Sequence, residues 1–421
     1  MIKDEYKFLN RLSEINNNTG IKFLHRAACP GSHCPMHMAL ATVRNMKGVS
    51  SLVVGMAECG YYSRFVAVTP YGRNGELHYV YELDSNEVVF GGRKGVKNAI
   101  VQMDKEGAKV ILIILTCVPA LIGEDMESLI EELESEIEAK VVFIDSAHFK
   151  RNGYQSGLSD TLEQLVSLTT KPDEPSMNKK INILGVAKGR EYNYFKEIMS
   201  SNGYEVQEYP QGMGMEELNQ LTFGQVNIVM NLKMQKAAKM LLKKHKIPYV
   251  TMAGRYLVED ITAGYKEIFD LLQITNSGDF LNGKGILEKS IQEADQLKNI
   301  SFIGTFPELD TLPVTLFLTS LGMIPELLHV EEYDESSNAY KIAINQLGQD
   351  PYITYITEDR KVMEVFSTDS KFISLGRCLG LEASKILEDS ALRSMTSLLG
   401  YERSRELIHL LLEKLRAERI E

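Results

Sequence analysis

The stretch KVILIILTCVPALIGED, residues Lys109–Asp125, decides the fold of this chain. It opens on an unbroken apolar run, VILIIL, which is typical of β-strands that are buried on both faces of a parallel sheet. Cys117 stands at the carboxyl end of this predicted strand. In open parallel sheets, loops and helix N-termini converge beyond the carboxyl ends of the strands, and ligands bind there. The stretch therefore predicts an α/β sheet with a thiol at its functional edge.

Short β-branched runs of the same kind recur through the first third of the chain. They predict further strands over residues 49–55, 64–69, 86–90 and 140–145. Helical patterns alternate with several of them. Met36, Leu40, Val43 and Met46 share one helical face after Cys34, and helices are also predicted over residues 95–105 and 125–137. Buried strands that alternate with crossover helices indicate a parallel, doubly wound sheet.

The alternation begins again after a polar, proline-containing stretch, Thr169–Lys180, which is typical of a linker. The second series has predicted strands at 181–187, 204–209, 226–231 and 248–252, with helices at 192–201 and 235–245. The third follows a helical stretch at 286–297 and has predicted strands at 301–305, 323–330, 352–356 and 371–376. The sequence thus predicts three Rossmann-like doubly wound α/β domains with parallel sheets, over residues 1–175, 176–299 and 300–421, the last with a C-terminal amphipathic helix.

The composition of the chain argues against some classes of binding partner and indicates its cellular compartment. The chain has 46 Lys and Arg against 57 Asp and Glu, a net charge of −11, which argues against nucleic acid or an anionic membrane as a partner. It has no long apolar run of the kind that spans a bilayer, and its first residues, MIKDEYKFLN, lack the apolar core of a secretory signal. We therefore expect a cytoplasmic protein. Five cysteines, an odd number in a reducing compartment, argue against a disulfide framework.

Cys34, Cys59 and Cys117 each fall where a predicted strand or helix begins or ends. They are 25 and 58 residues apart, too far for a zinc finger or a bacterial ferredoxin run, so folding must bring them together. Cys34 precedes Pro35, which suits the first turn of a helix, and the positive end of a helix favours a thiolate. We expect all three positions to stabilise thiolates. Thiolates select iron–sulfur clusters, zinc or copper(I), and three of them leave a closed cluster one ligand short.

Other interpretations of the cysteines remain open. Any one of the three could be a buried small hydrophobe, which is the interpretation we favour for Cys378. Cys29, Cys34 and His37, with His33 nearby, have a C-x4-C-x2-H spacing that could form part of a zinc site, although the fourth ligand is not local.

A cysteine hydrolase is a further alternative. Cys117, His148 and Asp145 all follow predicted strand ends, but no nucleophile elbow surrounds Cys117. Nucleotide binding finds no support: GVAKGR, Gly185–Arg190, does not complete the G-x-G-x-x-G fingerprint, and the sequence has no G-x-x-x-x-G-K-[ST] phosphate loop.

Four segments resemble a known family in their order and spacing. They are HCPMHMALATVRNM (His33–Met46), VVGMAEC (Val53–Cys59), VVFGGRKGVKNAI (Val88–Ile100) and ILTCVPALIGEDMESLI (Ile114–Ile130). Together they resemble the catalytic component, component 1, of nitrogenases and nitrogenase-like oxidoreductases, and the resemblance covers most of the chain. Members have three Rossmann-like domains in each subunit and an iron–sulfur cluster at the interface between paired subunits.

The resemblance implies a set of site residues and partners. The cluster, [4Fe-4S] or a larger [8Fe-7S] type, would have Cys34, Cys59 and Cys117 as its ligands. Gly91 and Gly92 match the family's glycine pair and are candidate cofactor-binding residues. The implied partners are a second component 1 subunit, identical or paralogous, in a dimer or tetramer, and a separate ATP-hydrolysing iron protein as electron donor.

Departures from the family pattern bear on the substrate. The subunit that holds an iron–molybdenum type cofactor anchors it by a cysteine in the second domain and a histidine in the third. This chain has no cysteine between Cys117 and Cys378 and no histidine between His329 and His409. We therefore expect a reductase subunit acting on a substrate other than dinitrogen, or not on dinitrogen by itself. The alternative is a scaffold or carrier that assembles a metal cluster for another enzyme.

Overall fold

The computed structural model describes residues 8–22, 34–150, 156–171, 179–210, 212–275, 280–306, 310–355, 372–377 and 381–418. Its strands form three parallel sheets flanked by helices, which confirms the predicted α/β fold class. Within the described ranges, none of the helices has both the length and the apolar character needed to cross a lipid bilayer.

The first sheet has the strand order β2-β1-β3-β4. Its strands are β1 (Ser50–Gly55), β2 (His78–Glu82), β3 (Val110–Leu115) and β4 (Lys140–Asp145). The helices of this part of the chain are α1 (Pro35–Val43), α2 (Ala57–Ser63), α3 (Ser85–Phe90), α4 (Arg93–Lys105), α5 (Cys117–Ile122), α6 (Met126–Leu133) and α7 (Ser156–Ser167).

The second sheet has the order β6-β5-β7-β8 and the third the order β11-β10-β9-β12-β13. Their strands are β5 (Lys179–Leu184), β6 (Tyr204–Tyr209), β7 (Gly224–Val229), β8 (Tyr249–Thr251), β9 (Ser301–Gly304), β10 (Ile324–His329), β11 (Tyr352–Thr354), β12 (Phe372–Leu375) and β13 (Ile386–Leu387). The other helices in the described ranges are α8 (Arg190–Ser201), α9 (Met215–Gln220), α10 (Gln235–His245), α11 (Val258–Leu272), α12 (Phe280–Glu293), α13 (Thr311–Ser320), α14 (Glu335–Gln346), α15 (Asp389–Thr396) and α16 (Gly400–Glu418).

The central strand of the first sheet joins two apolar cores. All six residues of β3 are buried, as its apolar run predicts. Because successive side chains of a strand point to opposite faces, Leu112 and Ile114 pack in the core that includes α1 and α7, whereas Ile111 and Ile113 pack in the core that includes α4 and α6. Helices therefore cover both faces of this sheet, as its unbroken apolar sequence requires.

Two of the predicted strands are wrong. Residues 86–90 belong to α3, because Asp84 caps that helix by accepting the N–H groups of Asn86 and Glu87 at 2.7 and 2.9 Å. Residues 64–66 form a turn that extends the end of α2, and residues 67–69 are irregular. The strand actually paired with β1 on this side is β2, where Val80 lies opposite Val53.

The chain forms two compact units. We call residues 30–185 and 207–249 the cysteine unit, and residues 1–29, 186–206 and 250–421 the terminal unit. The predicted domain boundaries, 1–175, 176–299 and 300–421, stay predictions. The predicted linker falls mostly outside the described residues, and its last two residues, Lys179 and Lys180, begin β5.

In the terminal unit, two helices cap each other through half-buried carboxylates. Glu191, in the first turn of α8, accepts the N–H groups of Tyr401 and Glu402 at 3.1 and 2.9 Å, at the start of α16. Glu402 returns the contact by accepting the N–H of Glu191 at 3.1 Å. Each carboxylate thus satisfies first-turn donors that the other helix leaves open. The hydroxyl of Tyr265 also donates to Glu191.

Burial shifts the pKa of Glu191 at this contact. It raises the pKa of Glu191 to about 7, against the hydrogen bonds from Tyr265 and the two backbone donors, which favour the ionised form. Between the ordinary pKa of 4.5 and a pH of about 7, the folded state therefore holds a proton that the unfolded state has released. The contribution of Glu191 to stability is full below its ordinary pKa and is lost as the pH rises through about 7.

We expect Glu191→Gln to flatten the pH dependence of stability in the terminal unit. In this interval each unit of pH costs the wild type roughly 1.4 kcal/mol, a dependence that a side chain without a titrating proton does not have. Thermal unfolding midpoints measured between pH 5 and pH 8 would show it. Glu197→Gln, an exposed change on the same helix, is the control. Parallel pH curves for wild type and Glu191→Gln would contradict the assignment.

Candidate metal centre

The topology of the first sheet brings two of the predicted thiols to one edge. From β1 the chain passes to β2 on one side, whereas β3 lies on the other side of β1, so the strand order reverses between β1 and β3. Loops that leave such a reversal diverge and open a crevice at the carboxyl ends of the strands. Cys59 lies in α2, directly after β1, and Cys117 is the first residue of α5, directly after β3.

Close packing fixes Cys59 against the end of β1. The Cys59 Sγ lies 3.4 Å from the hydroxyl of Thr116, which itself donates to the carbonyl of Val54 at 2.9 Å. Gly55 makes this possible, because a methyl group there would collide with the Thr116 hydroxyl and would lie 3.0 Å from the Cys59 sulfur. A glycine at the end of β1 therefore lets the two neighbouring loops meet.

Cys34 reaches the same site from a helix. It is the N-cap residue of α1, and Pro35 occupies the first helical turn, as predicted. The predicted apolar face is also confirmed, since Met36, Leu40 and Val43 are buried. This face packs in the core that α1 shares with α7, which holds Cys34 in place.

The three thiols are close enough to affect one another electrostatically. Burial, with smaller contributions from the neighbouring Cys117 and Cys59, raises the pKa of Cys34 to about 11. Burial also raises the pKa of Cys117, with a smaller contribution from Cys59. The N–H groups of Met36 and His37 at the start of α1 oppose the shift at Cys34 but are outweighed. Our expectation that these positions stabilise thiolates is therefore wrong for Cys34 and Cys117 in the chain alone, because burial dominates the helix N-terminus.

This donor set fits a cluster of several metal ions. A coordinated metal ion supplies the positive charge that displaces a thiol proton. The three thiols are half-buried, and burial raises the pKa of Cys34 and Cys117 in the chain alone, so a bound metal would have to supply that charge. Among the described residues, no three His, Cys, Asp or Glu side chains are placed to hold one metal ion. A polynuclear cluster asks for a different arrangement, because its thiolates bind separate irons around a shared cavity. Cys29 and His33 of the alternative zinc site, like Cys378, lie outside the described residues.

Gly91 and Gly92 form the turn between α3 and α4. Gly91 has φ of +90°, which favours glycine, and Gly92 is the N-cap residue of α4. The N–H of Gly92 donates to the carboxylate of Glu124, which follows the cysteine helix α5. The glycine pair thus ties the start of α4 to the Cys117 loop. A direct role of these glycines in cofactor binding stays a prediction.

The turn after β4 brings a histidine to Cys117. The Nδ1 atom of His148 lies 2.8 Å from the Cys117 Sγ. Two members of the alternative hydrolase set therefore meet. The Asp145 oxygens are engaged by the Lys150 ammonium at 2.6 Å and by the Ala147 N–H at 3.1 Å, contacts within the turn itself. Sequence reasoning placed His148 after a strand end but did not connect it with the predicted ligand set.

Fold and site together define a class: an α/β protein of three parallel sheets, with three thiols at the switch point of the first. A family model described as "Nitrogenase component 1 type Oxidoreductase" matches residues 34–381. The chain therefore belongs to the nitrogenase component 1 type oxidoreductase family, and the predicted resemblance is confirmed.

Individual relatives are more distant. The chain is 25% identical over 193 residues to one of the chains of the light-independent protochlorophyllide reductase of Gloeothece citriformis, covering 42% of this chain and 38% of the relative. It is 28% identical over 203 residues to the nitrogenase iron-molybdenum cofactor biosynthesis protein NifE of Clostridium pasteurianum, covering 45% and 42%. The matched segment thus spans less than half the length of these relatives. Among solved structures, "Nitrogenase Cp1 at pH 6.5" matches with a TM-score of 0.61 at 15% identity, over 96% of both chains, which supports the fold.

The contact between α1 and α7 provides a test of how Cys34 is positioned. A methyl group at Gly157 of α7 would collide with the carbonyl of Pro35 and lie 2.9 Å from the backbone N of Ala39. Gly157→Ala should therefore push α1 away and destabilise the cysteine unit by about 1–3 kcal/mol, measured by urea unfolding. Gly285→Ala in α12, where nothing surrounds the position, is the matched control and should leave stability unchanged or slightly higher. Equal stability of the two variants would contradict this account.

Proposed function

We propose that this chain is a subunit of a nitrogenase-like oxidoreductase that binds an iron–sulfur cluster through Cys34, Cys59 and Cys117. The observation that carries the proposal is the convergence of these thiols at the switch point of the first sheet. Family membership supports it, and so do relatives whose names describe reductases and nitrogenase chains.

The cluster, [4Fe-4S] or a larger [8Fe-7S] type, would accept and pass on single electrons when bound. The chain's own residues hold the half-buried sulfur atoms near the ends of β1 and β3 and place hydrogen-bond donors beside Cys117. Three thiolates leave a closed cluster one ligand short, so a second component 1 subunit or a non-cysteine group completes it.

Exposed apolar side chains flank the thiol site and support a subunit interface there. Each lies on or beside an element that carries or contacts a cysteine. We call this set the apolar collar: Tyr61, Tyr62, Phe65, Val89, Phe90, Leu121 and Phe149. Phe90 and Leu121 are 85% and 72% exposed. Large apolar residues gathered around one site are typical of surfaces that another chain covers.

The partners and the substrate complete the proposal. An ATP-hydrolysing iron protein would deliver electrons to the cluster, in the cytoplasm. The substrate would be other than dinitrogen, or dinitrogen only with a further subunit, because the cysteine and histidine that anchor an iron–molybdenum type cofactor have no counterparts in this sequence.

A scaffold or carrier for cluster assembly is the second candidate, favoured by the similarity to a cofactor biosynthesis protein. The two functions differ in turnover. With an iron protein, ATP and dithionite, a reductase sustains substrate-dependent electron uptake. A scaffold instead releases its cluster to an acceptor protein once.

The ligand assignment predicts iron loss in two variants. Anaerobically purified wild type should be brown and contain iron and sulfide, whereas Cys59→Ala and Cys117→Ala should lose most of the iron because each removes a ligand. Cys378→Ala, outside the predicted ligand set, is the control. Iron and sulfide analysis alongside circular dichroism makes the test. A colourless, iron-free but folded wild type under strict anaerobiosis would sink the proposal.

The apolar collar predicts an assembly defect. Phe90→Glu and Leu121→Glu place charges on the proposed interface and should lower the mass of the complex measured by light scattering, for the chain alone or co-expressed with a paralogous subunit. Ile342→Glu, at an exposed apolar position on α14 in the terminal unit, is the matched control and should leave the mass unchanged. A mass unaffected by the collar variants would place the interface elsewhere.

A further inference from the structure

We propose that His148 is a positioning residue for the metal centre, which donates a hydrogen bond from Nδ1 to the Cys117 sulfur and thereby raises the reduction potential of the cluster bound there. This inference rests on the proposed function and adds to it a residue that no ligand pattern assigns. The carrying observation is the 2.8 Å separation between His148 Nδ1 and Cys117 Sγ.

The turn that presents His148 is fastened to the strand that presents Cys117. Ser146 donates its N–H and its hydroxyl to the carbonyl of Leu115, at 2.9 and 2.8 Å, and Leu115 is the last residue of β3. Leu115 also lies opposite Asp145 in the ladder between β3 and β4. The donor, His148, and the acceptor, Cys117, are therefore both positioned by the paired ends of β3 and β4, so the sheet fixes their contact.

Backbone donors reinforce the contact. The N–H groups of His148 and Phe149 face the Cys117 sulfur and favour its negative charge. The side chain and the backbone of one turn thus direct positive dipoles at a single sulfur. The Cys59 sulfur is placed differently, beside the Thr116 hydroxyl, which already donates to the Val54 carbonyl.

The separation indicates a donor to the sulfur and not a second ligand of the same iron. Nitrogen and sulfur ligands lie about 2.0–2.3 Å from a metal in tetrahedral sites, so two ligands of one ion are farther apart than a hydrogen bond. A donor to a ligating sulfur withdraws charge from the cluster. Because this stabilises the reduced, more negative state, the potential rises.

The test compares midpoint potentials of the anaerobically loaded protein. His148→Ala removes the donor, whereas His148→Asn keeps an N–H donor at nearly the position of Nδ1. We expect wild-type iron content in both variants. In His148→Ala we expect roughly a tenfold shift of the reduction equilibrium toward the oxidised state, about 59 mV for one electron, with most of it restored in His148→Asn.

Each other outcome overturns the inference in a recognisable way. Equal potentials in wild type and His148→Ala show that the contact does not reach the cluster. Iron loss in His148→Ala as severe as in Cys117→Ala makes the histidine a ligand and not a donor. A wild type that takes up no iron removes the proposed function itself, which separates that failure from a failure of the His148 assignment.

Discussion

The parallel pairing of β1 with β3 is the constraint on which the rest of the site depends. Its register sets Val53 opposite Ile114 and Val54 opposite Leu115, so the two strands end side by side. Cys59 and Cys117, which follow these strands, therefore lie at the same crevice. The apolar run of β3 makes this pairing stable, because it can be buried only between two layers of helices.

Partial burial at this edge of the sheet disfavours the charged thiolate form of Cys34 and Cys117. The pKa of Cys34 rises to about 11 and that of Cys117 also rises, so the chain by itself favours the protonated thiols. Metal binding would exchange those protons for a stronger positive charge. Under the proposed function, the cost of burying the thiols and the affinity for a cluster have the same physical origin. The hydrogen bonds around Cys117 then adjust a charge that the metal has created.

The sequence predicted the layers of the fold well and the local chemistry of the site only in part. Short apolar and β-branched runs predicted β1, β3 and β4, and the Cys34-Pro35 pair located the start of α1, because each of these signals lies within a few neighbouring residues. Sequence reasoning grouped His148 with Cys117 only in the alternative hydrolase set, because both follow predicted strand ends, and it did not predict the detailed contact between them. That contact depends on the alignment of two strands that are distant in sequence and on the turn at Ser146, and neither leaves a periodic signal.

The two mispredicted strands carry a further lesson. Residues 64–69 and 86–90 contain the apolar residues expected of buried strands, yet in the folded chain Phe65 is 68% exposed and Phe90 is 85% exposed. Apolar runs at a surface in water cost free energy, roughly 25 cal/mol for each Å² left exposed. The first run follows α2, which carries Cys59, and the second lies in α3, which packs against α5, the helix that carries Cys117. The apolar pattern therefore predicted that these side chains are covered, but it could not predict what covers them. Under the proposed function the cover is the second subunit and not the core of the same chain. One binding event therefore acts on both the exposed apolar surface and the protonated thiols. A subunit that completes the cluster also covers the apolar collar around it.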